Sequence, residues 1–213
     1  GFKALKDIAG IRSDLDVSGI VFTLGPRINA AGRVAHGRAA VDLLIAKTEE
    51  EANQLAEKLD LKNEVRKEFD SSITEEAIAM IETNISQRSS KSTVLFKNTW
   101  HKGVIGIVAA RCVEKYYRPT VILTESNNKV TGSARSVHGF DLYSAILVCS
   151  DLLEKFGAHM YAAGLALDID NLELFQQKFE AVVSSSITED MLRPVIELDM
   201  PLHFDAITAK FLR

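Results

Sequence analysis

Cysteine is nearly absent from this chain, with only Cys112 and Cys149 among 213 residues. Both fall within helical patterns and neither has Cys-x-x-Cys or zinc spacing, which excludes a disulfide framework and a zinc knuckle. The expectation is two reduced, buried, unreactive thiols in a cytoplasmic protein. Long apolar runs are also missing: none approaches the roughly 18 residues of a membrane span, and no signal-peptide pattern opens the sequence. Gly1 stands where an initiating methionine would, which points to an excised piece. A net charge of −4 argues against indiscriminate binding of DNA by the whole surface and leaves room for a local basic cleft. With 46% hydrophobic residues, the chain can bury a substantial core in one or two domains.

Glycine and proline are missing from Arg38 to Lys102, so the two strongest breakers leave that stretch free for a long helix. Thr48 followed by Glu49, Glu50 and Glu51 reads as an N-cap with acids in the first turn. Leu55, Leu59, Val65, Phe69, Ile73, Ala77, Met80 and Ile81 recur at helical spacing, with slips around Leu61 to Val65. Such a helix would be about 55 Å long and suits a strut between domains. Its acidic excess reads as a solvated face, or as the complement to a basic cleft. The Gln87–Ser92 cluster is the expected exit loop.

Beyond it the pattern alternates. Strands are expected at Thr93–Phe96, Thr120–Thr124 and around Lys129–Thr131, the latter two joined through Asn127–Asn128, with another at Leu165–Ile169. Helices are expected at Val104–Tyr116, Asp141–Phe156 and Leu172–Ser185. Alternation of this kind implies an α/β domain whose helices cover a mixed sheet. Pro194–Leu202 could add a strand, and Phe204–Arg213 the start of a helix.

Four segments at the junctions carry chemistry. Leu24–Arg33 (LGPRINAAGR) reads as a glycine-proline loop, with Arg27 and Arg33 as planar donor forks suited to phosphate. In Trp100–Arg111, a helix starting after Gly103 would turn free N–H groups toward an anion, beside His101 and Lys102. Trp100 serves either the core or a stacking base, and His101 either a cap or a ligand. Gly132–Ser136 ends a strand whose alternation puts Ser133 and Arg135 on one face, about 7 Å apart, a good phosphate clamp. Gly157–Gly164 (GAHMYAAG) joins a helix to a strand through small residues that admit a ligand close to the backbone, with His159 pointing at it. His36, His138 and His203 have no spacing that suggests a metal site.

In their order and spacing these four segments resemble the RecJ family of exonucleases specific for single-stranded DNA. More narrowly, they resemble its linker and second (DHHA1) domain, over about Gly1 to Met200. The family's glycine-glycine-histidine reads Gly157-Ala158-His159 here, a departure that reduces backbone freedom at the second position. The resemblance implies four parts: residues 1–47 as the end of a DHH domain with the linker motif, 48–90 as the connecting helix, 91–190 as the DHHA1 domain, and 191–213 as the truncated start of a barrel domain. It implies a metal-dependent 5′-to-3′ exonuclease of repair and recombination, of which this chain is the substrate-gripping half. Arg27, Asn29 and Arg33 would line the cleft from one side. Ser133, Arg135 and His159 would hold the phosphates from the opposite wall, His159 near the scissile bond, and His101, Ser136, Gly157 and Gly164 would also bind substrate.

Mn2+ or Mg2+ is implied as well, held by an earlier domain. No Asp-His-His occurs in this chain, and Asp14-Leu-Asp16 and Asp168-Ile-Asp170 lack histidine company, so no metal ligand is expected here. The implied partners are single-stranded DNA and, for a monomeric enzyme, a single-strand-binding protein or a helicase, with no membrane. Two other readings stand: a phosphoesterase of short oligonucleotides or bisphosphate nucleotides, and a non-catalytic nucleic-acid-binding module like the related domain of alanyl-tRNA synthetase.

Overall fold

The computed structural model describes residues 1–12 and 14–211. Its organising element is α5, Glu49–Thr83, an unbroken helix of 35 residues. The sequence dictates its start: Thr48 Oγ1 accepts the Glu51 N–H at 3.2 Å, and three glutamates follow the cap. Satisfying an orphan N–H and placing acids at the positive end of the dipole both favour a helix beginning there.

The inward face of α5 changes character along its length. Ala52, Ala56 and Leu59 pack with Leu5 of α1 (Phe2–Ile8), Leu24, Ala31 of α3 (Gly25–Val34) and Leu43 of α4 (Arg38–Ile45). Ile73, Ala77 and Ile81 pack instead against the sheet side of the molecule. Between the two cores the face is polar, with Asn63 and Asp70 buried. Arg66 donates to Asn63 Oδ1 at 2.8 Å and pairs with Asp70 at 3.6 Å, and Arg111 reaches the same carboxylate at 3.5 Å. Burial of these charges is tolerable because each has an opposite partner. This polar layer accounts for the break in the apolar pattern near Leu61. Val65 and Phe69, expected in the core, are 38% exposed, because Asn63, Arg66 and Asp70 hold the inward positions.

A single turn, α6 (Ile85–Ser89), takes up the first half of the exit loop expected at Gln87–Ser92, and the chain is irregular from Ser90 to Ser92. Arg118 is buried beside it and gives hydrogen bonds to the carbonyls of Gln87 and Ser90 and to Thr93 Oγ1. A cation at the negative end of a helix is well placed.

Five strands follow: β1 Thr93–Phe96, β2 Thr120–Ser126, β3 Lys129–Arg135, β4 Lys155–Ala158 and β5 Ala162–Leu167. They form one sheet in the order β1-β2-β3-β5-β4. β1 and β2 are parallel, joined by a crossover through α7 (Ile105–Tyr116), and the other pairs are antiparallel. Asn127 and Asn128 both take positive φ, 55° and 58°, the two-residue turn whose twist matches a hairpin. The result is the expected α/β fold, a long helix followed by a mixed sheet flanked by helices.

One sheet face is sealed by α8 (Leu142–Val148) and α9 (Leu172–Ser186), over a core holding Val121, Leu123, Ala134, Leu165, Phe175 and Phe179. Truncating either phenylalanine to alanine costs about 3–5 kcal/mol by the usual scale for a buried aromatic ring. On the other face α7 lies across β2 and β3, and its Ile105, Val108 and Cys112 cluster with Ile122.

Several sequence expectations fail at this level. Leu24–Arg33 is helical: a π-helical turn, Ile20–Leu24, runs straight into α3. The Gly25 N–H reaches back to the Ile20 carbonyl, and this wide turn lets Pro26, which has no N–H to give, enter near the start of the new helix. The helix expected over Asp141–Phe156 ends at Val148, and Lys155–Ala158 pairs with β5 as an edge strand. Gly157–Gly164 is therefore a strand-to-strand hairpin, and β5 starts at Ala162 rather than Leu165. Pro194–Leu202 forms no strand among the described residues, since no neighbouring strand is there to pair with it. From the helix expected at Phe204–Arg213 only a 3-10 turn, Phe204–Ala206, is found, and residues 212 and 213 lie outside the described residues.

Candidate functional site

Strand parity builds the site. In an antiparallel sheet, residues opposite one another point to the same face. Arg135 is opposite Ala162 and Ser133 is opposite Gly164, which is itself opposite Gly157. His159 joins the Arg135 row, because its N–H closes the β4–β5 hairpin onto the Ala162 carbonyl at 2.8 Å. Arg135, Ser133, Gly164, Gly157 and His159 therefore share the face that α7 covers only in part. Where α7 ends, an open trough of about 440 Å³ remains, lined by residues of β3, β4 and β5 that include Thr131, Lys155, Gly157, Gly164 and Ala166. A Cβ added at Gly157 or Gly164 would meet nothing within 4 Å. The small residues leave a floor for a ligand.

Arg135 lies on the same face, one row beyond the Ser133–Gly164–Gly157 row. Its guanidinium donates to Ser133 Oγ at 3.1 Å and to the Ala134 carbonyl at 2.7 Å. Gly106, in the first turn of α7, lies against both side chains: a Cβ there would be 2.9 Å from Ser133 Oγ and 3.0 Å from the Arg135 guanidinium. Burial, and then the neighbouring charge of Arg33, hold the Arg135 guanidinium below its ordinary pKa. No carboxylate among the described residues pairs with Arg33 or Arg135. Two like charges brought together without a counter-ion favour an anion between them.

Arg33 arrives at the end of α3. It donates to the Gly103 carbonyl at 3.2 Å, while the Gly103 backbone is packed against the Arg33 carbonyl. Asn29, one turn earlier on the same face, is exposed and has no side-chain partner among the described residues. Arg27 points the other way. Its fork holds Asp60 of α5 at 2.7 Å and the Thr23 carbonyl at 2.8 Å, with little solvent access. The opening motif thus divides, Arg27 anchoring α3 and Asn29 and Arg33 facing outward.

His101 sits beside the same junction. Its ring stacks on Phe69 at 5.0 Å and its Nδ1 accepts the Gly103 N–H at 3.1 Å. In the neutral ring that bond assigns the proton to Nε2, leaving Nε2–H to donate elsewhere. Trp100 is a core residue: it is buried, and its indole N–H donates to Glu76 at 2.7 Å. Ser136 belongs to the following turn, with its hydroxyl on the Phe140 carbonyl and its N–H on the Tyr161 carbonyl. It lies off the row shared by Ser133 and Arg135.

Sequence reasoning overlooked Gly106, although a glycine inside a helical pattern is itself a sign of close approach. No group of three or more His, Cys, Asp or Glu among the described residues could hold a metal. Asp16 caps α2 (Val17–Gly19), and Asp168 caps a 3-10 turn while pairing with Lys129. The side chains gathered near α7, Arg33, Arg135, Ser133 and His101, are donors suited to an anion. What they can do is hold an extended polyanion with arginine, hydroxyl and imidazole donors above a glycine floor.

Comparison with known proteins points the same way. Residues 89–185 match the DHHA1 domain. The chain is 35% identical over 191 residues to the single-stranded-DNA-specific exonuclease RecJ of Bacillus subtilis, covering 89% of this chain and 24% of that protein. To the RecJ of Escherichia coli it is 34% identical, over 95% of this chain and 36% of that protein. The crystal structure of Thermus thermophilus RecJ with Mg2+ superposes with a TM-score of 0.77 at 27% identity, covering 86% of this chain and 28% of that one. A structure of exonuclease RecJ bound to manganese gives 0.76 at 28% identity, covering 90% of this chain and 46% of the other. The chain thus spans between a quarter and two fifths of the length of the curated relatives it matches.

Proposed function

This chain belongs to the RecJ family, and on that premise we propose that it is the phosphate-gripping half of a metal-dependent exonuclease that degrades single-stranded DNA from the 5′ end. The observation that carries the reading is Arg135 held to Ser133 with no carboxylate partner among the described residues, on the sheet face whose Gly157 and Gly164 line an open trough. Arg135 and Ser133 hold the terminal 5′-phosphate or the first backbone phosphates. Arg33 and the Nε2–H of His101 contribute from the α3 side, with Asn29 reaching the sugar or base edge. His159 contacts the phosphate next to the scissile bond, above the floor formed by Gly157 and Gly164. Ser136 fixes the turn that ends β3, and Arg27 keeps α3 in place.

These groups neutralise and orient the substrate. Such preorganised donors lower a barrier by fixing geometry and by matching charge where it develops. The divalent metal belongs to a part of the whole protein outside this chain, consistent with relatives solved with Mg2+ and with manganese. Bound there, it would supply activation of water and charge stabilisation at the phosphate. A track of phosphate donors accounts for binding without base reading, because phosphate contacts carry little sequence information.

The working division is 1–47 as the end of the metal-bearing domain with the linker motif, 48–90 as the connecting helix, 91–190 as the DHHA1 domain and 191–213 as the start of a following barrel. We assign the enzyme to the cytoplasm as a monomer that meets a single-strand-binding protein or a helicase on DNA. Among the described residues no helix is long and apolar enough to cross a membrane.

The test is fluorescence-anisotropy binding of single-stranded oligonucleotides with a 5′-phosphate or a 5′-hydroxyl, at low salt because counterions compete. Tighter binding of the phosphorylated end, lost in Arg135→Ala, is the expected result. Equal binding of both ends by the wild-type protein overturns end recognition at this site.

A further inference from the structure

The trough does not end at Gly157 and Gly164. Two residues further along each strand comes a third row, in which Thr131 of β3 and Lys155 of β4 both stand opposite Ala166 of β5. Parity puts this row on the same face as Arg135 and His159, and both Thr131 and Lys155 line the trough. From His159 to Lys155 the edge strand advances four residues, about 13 Å at ordinary strand rise. That span is about two phosphodiester repeats of a strand pulled out of its stack.

Lys155 is also a free cation. It forms no salt bridge and no side-chain hydrogen bond among the described residues, and it is exposed. The neighbouring Lys129 is different: Glu154 and Asp168 hold it, at 2.5 and 3.3 Å. That cluster leaves a surplus carboxylate at this end of the sheet and bounds the cationic track. The ammonium of Lys155 is thus the last unneutralised positive charge along the trough, beside a threonine hydroxyl and an alanine floor.

Building on the function proposed above, we infer that Lys155, with Thr131, is a further phosphate-binding position. It takes the backbone phosphate about two nucleotides from the one held at His159 and Arg135. The track then grips a segment of three or more nucleotides, and the grip on long strands exceeds that on dinucleotides through Lys155 specifically. A lysine is suited to this because it meets phosphate as a point charge without demanding one orientation.

The experiment uses the whole protein that carries this chain, with EDTA present so that no strand is cut. Binding of 5′-phosphorylated oligodeoxynucleotides of two and eight nucleotides is measured by anisotropy across a salt series. Lys155→Ala is expected to weaken the octamer about five- to tenfold, and to reduce the slope of log affinity against log salt by about 0.7, one phosphate contact on a single strand. The dinucleotide should be unaffected, and Lys155→Arg should restore the octamer. An unchanged octamer affinity, or an equal loss for both lengths, overturns the assignment. Arg135→Ala, run alongside, separates this from the parent reading: it should weaken both lengths, and if it weakens neither, the failure lies with the proposed site rather than with Lys155.

Discussion

The Arg33 carbonyl rests directly on Gly103, so closely that a Cβ at position 103 would overlap it. This backbone contact ties the end of α3 to the entrance of α7, and with it the two arginines of the site to one another. Alanine at position 103 must push the two segments apart. Gly103→Ala is expected to lose about 2–3 kcal/mol of stability in urea unfolding, as overpacking at a tight contact does. Gly157→Ala and Gly164→Ala, where a Cβ enters open space, should stay within about 1 kcal/mol of the parent.

Arg27 and Asp60 should behave as a stability pair. Their side chains are 14% and 27% exposed and 2.7 Å apart, so removing either partner strands a largely buried charge. Each alanine variant is expected to cost about 1–3 kcal/mol, with the double mutant less than additive. Oligonucleotide affinity of the folded variants should match the parent. A large loss of affinity in Arg27→Ala at full stability would move Arg27 into the site.

Inorganic phosphate should stabilise this protein through Arg135. A ligand that binds only the folded state raises its stability as concentration exceeds the dissociation constant. The expected outcome is a melting temperature that climbs by a few degrees with millimolar phosphate at constant ionic strength. In Arg135→Ala the climb should vanish. Equal climbs in both proteins would place the anion elsewhere.

The thiols predict an alkaline limit. Burial pushes Cys112 and Cys149 each up to about 11, against an ordinary value of 9.0. Because the folded value is raised, the stability these groups contribute is complete below about pH 9 and is lost as pH climbs through about 11. Near pH 8 a disulfide exchange reagent should label both only after unfolding. Fast labelling of the native protein would contradict their burial.

The sequence made some features plain and hid others, for physical reasons. Thr48 with its three glutamates announces the start of α5, since capping is a local bargain between a hydroxyl and a nearby N–H. The shared face of Ser133 and Arg135 follows from alternation alone, and their hydrogen bond bears it out. The helical state of Gly25–Val34 was hidden because glycine and proline usually break helices, and only the π turn before them makes room. Lys155–Ala158 carries no periodic signal in four residues, and it is a strand only because β5 lies alongside. His159 could be singled out by its motif. Its place in the row of Arg135 depends on the local β4–β5 hairpin and on the pairing of β5 with β3, the latter a relation between segments far apart along the chain.

Along β3, burial alternates residue by residue: Val130, Gly132 and Ala134 are buried, while Lys129, Thr131, Ser133 and Arg135 are partly open. Adjacent positions therefore answer to different selective pressures. A saturation scan of this one strand should oscillate with a period of two. Substitutions at even positions should deplete soluble protein, and truncations to alanine at 131, 133 and 135 should leave protein abundance intact while weakening oligonucleotide binding. An evolving lineage could retune the ligand through every second residue without renegotiating the core.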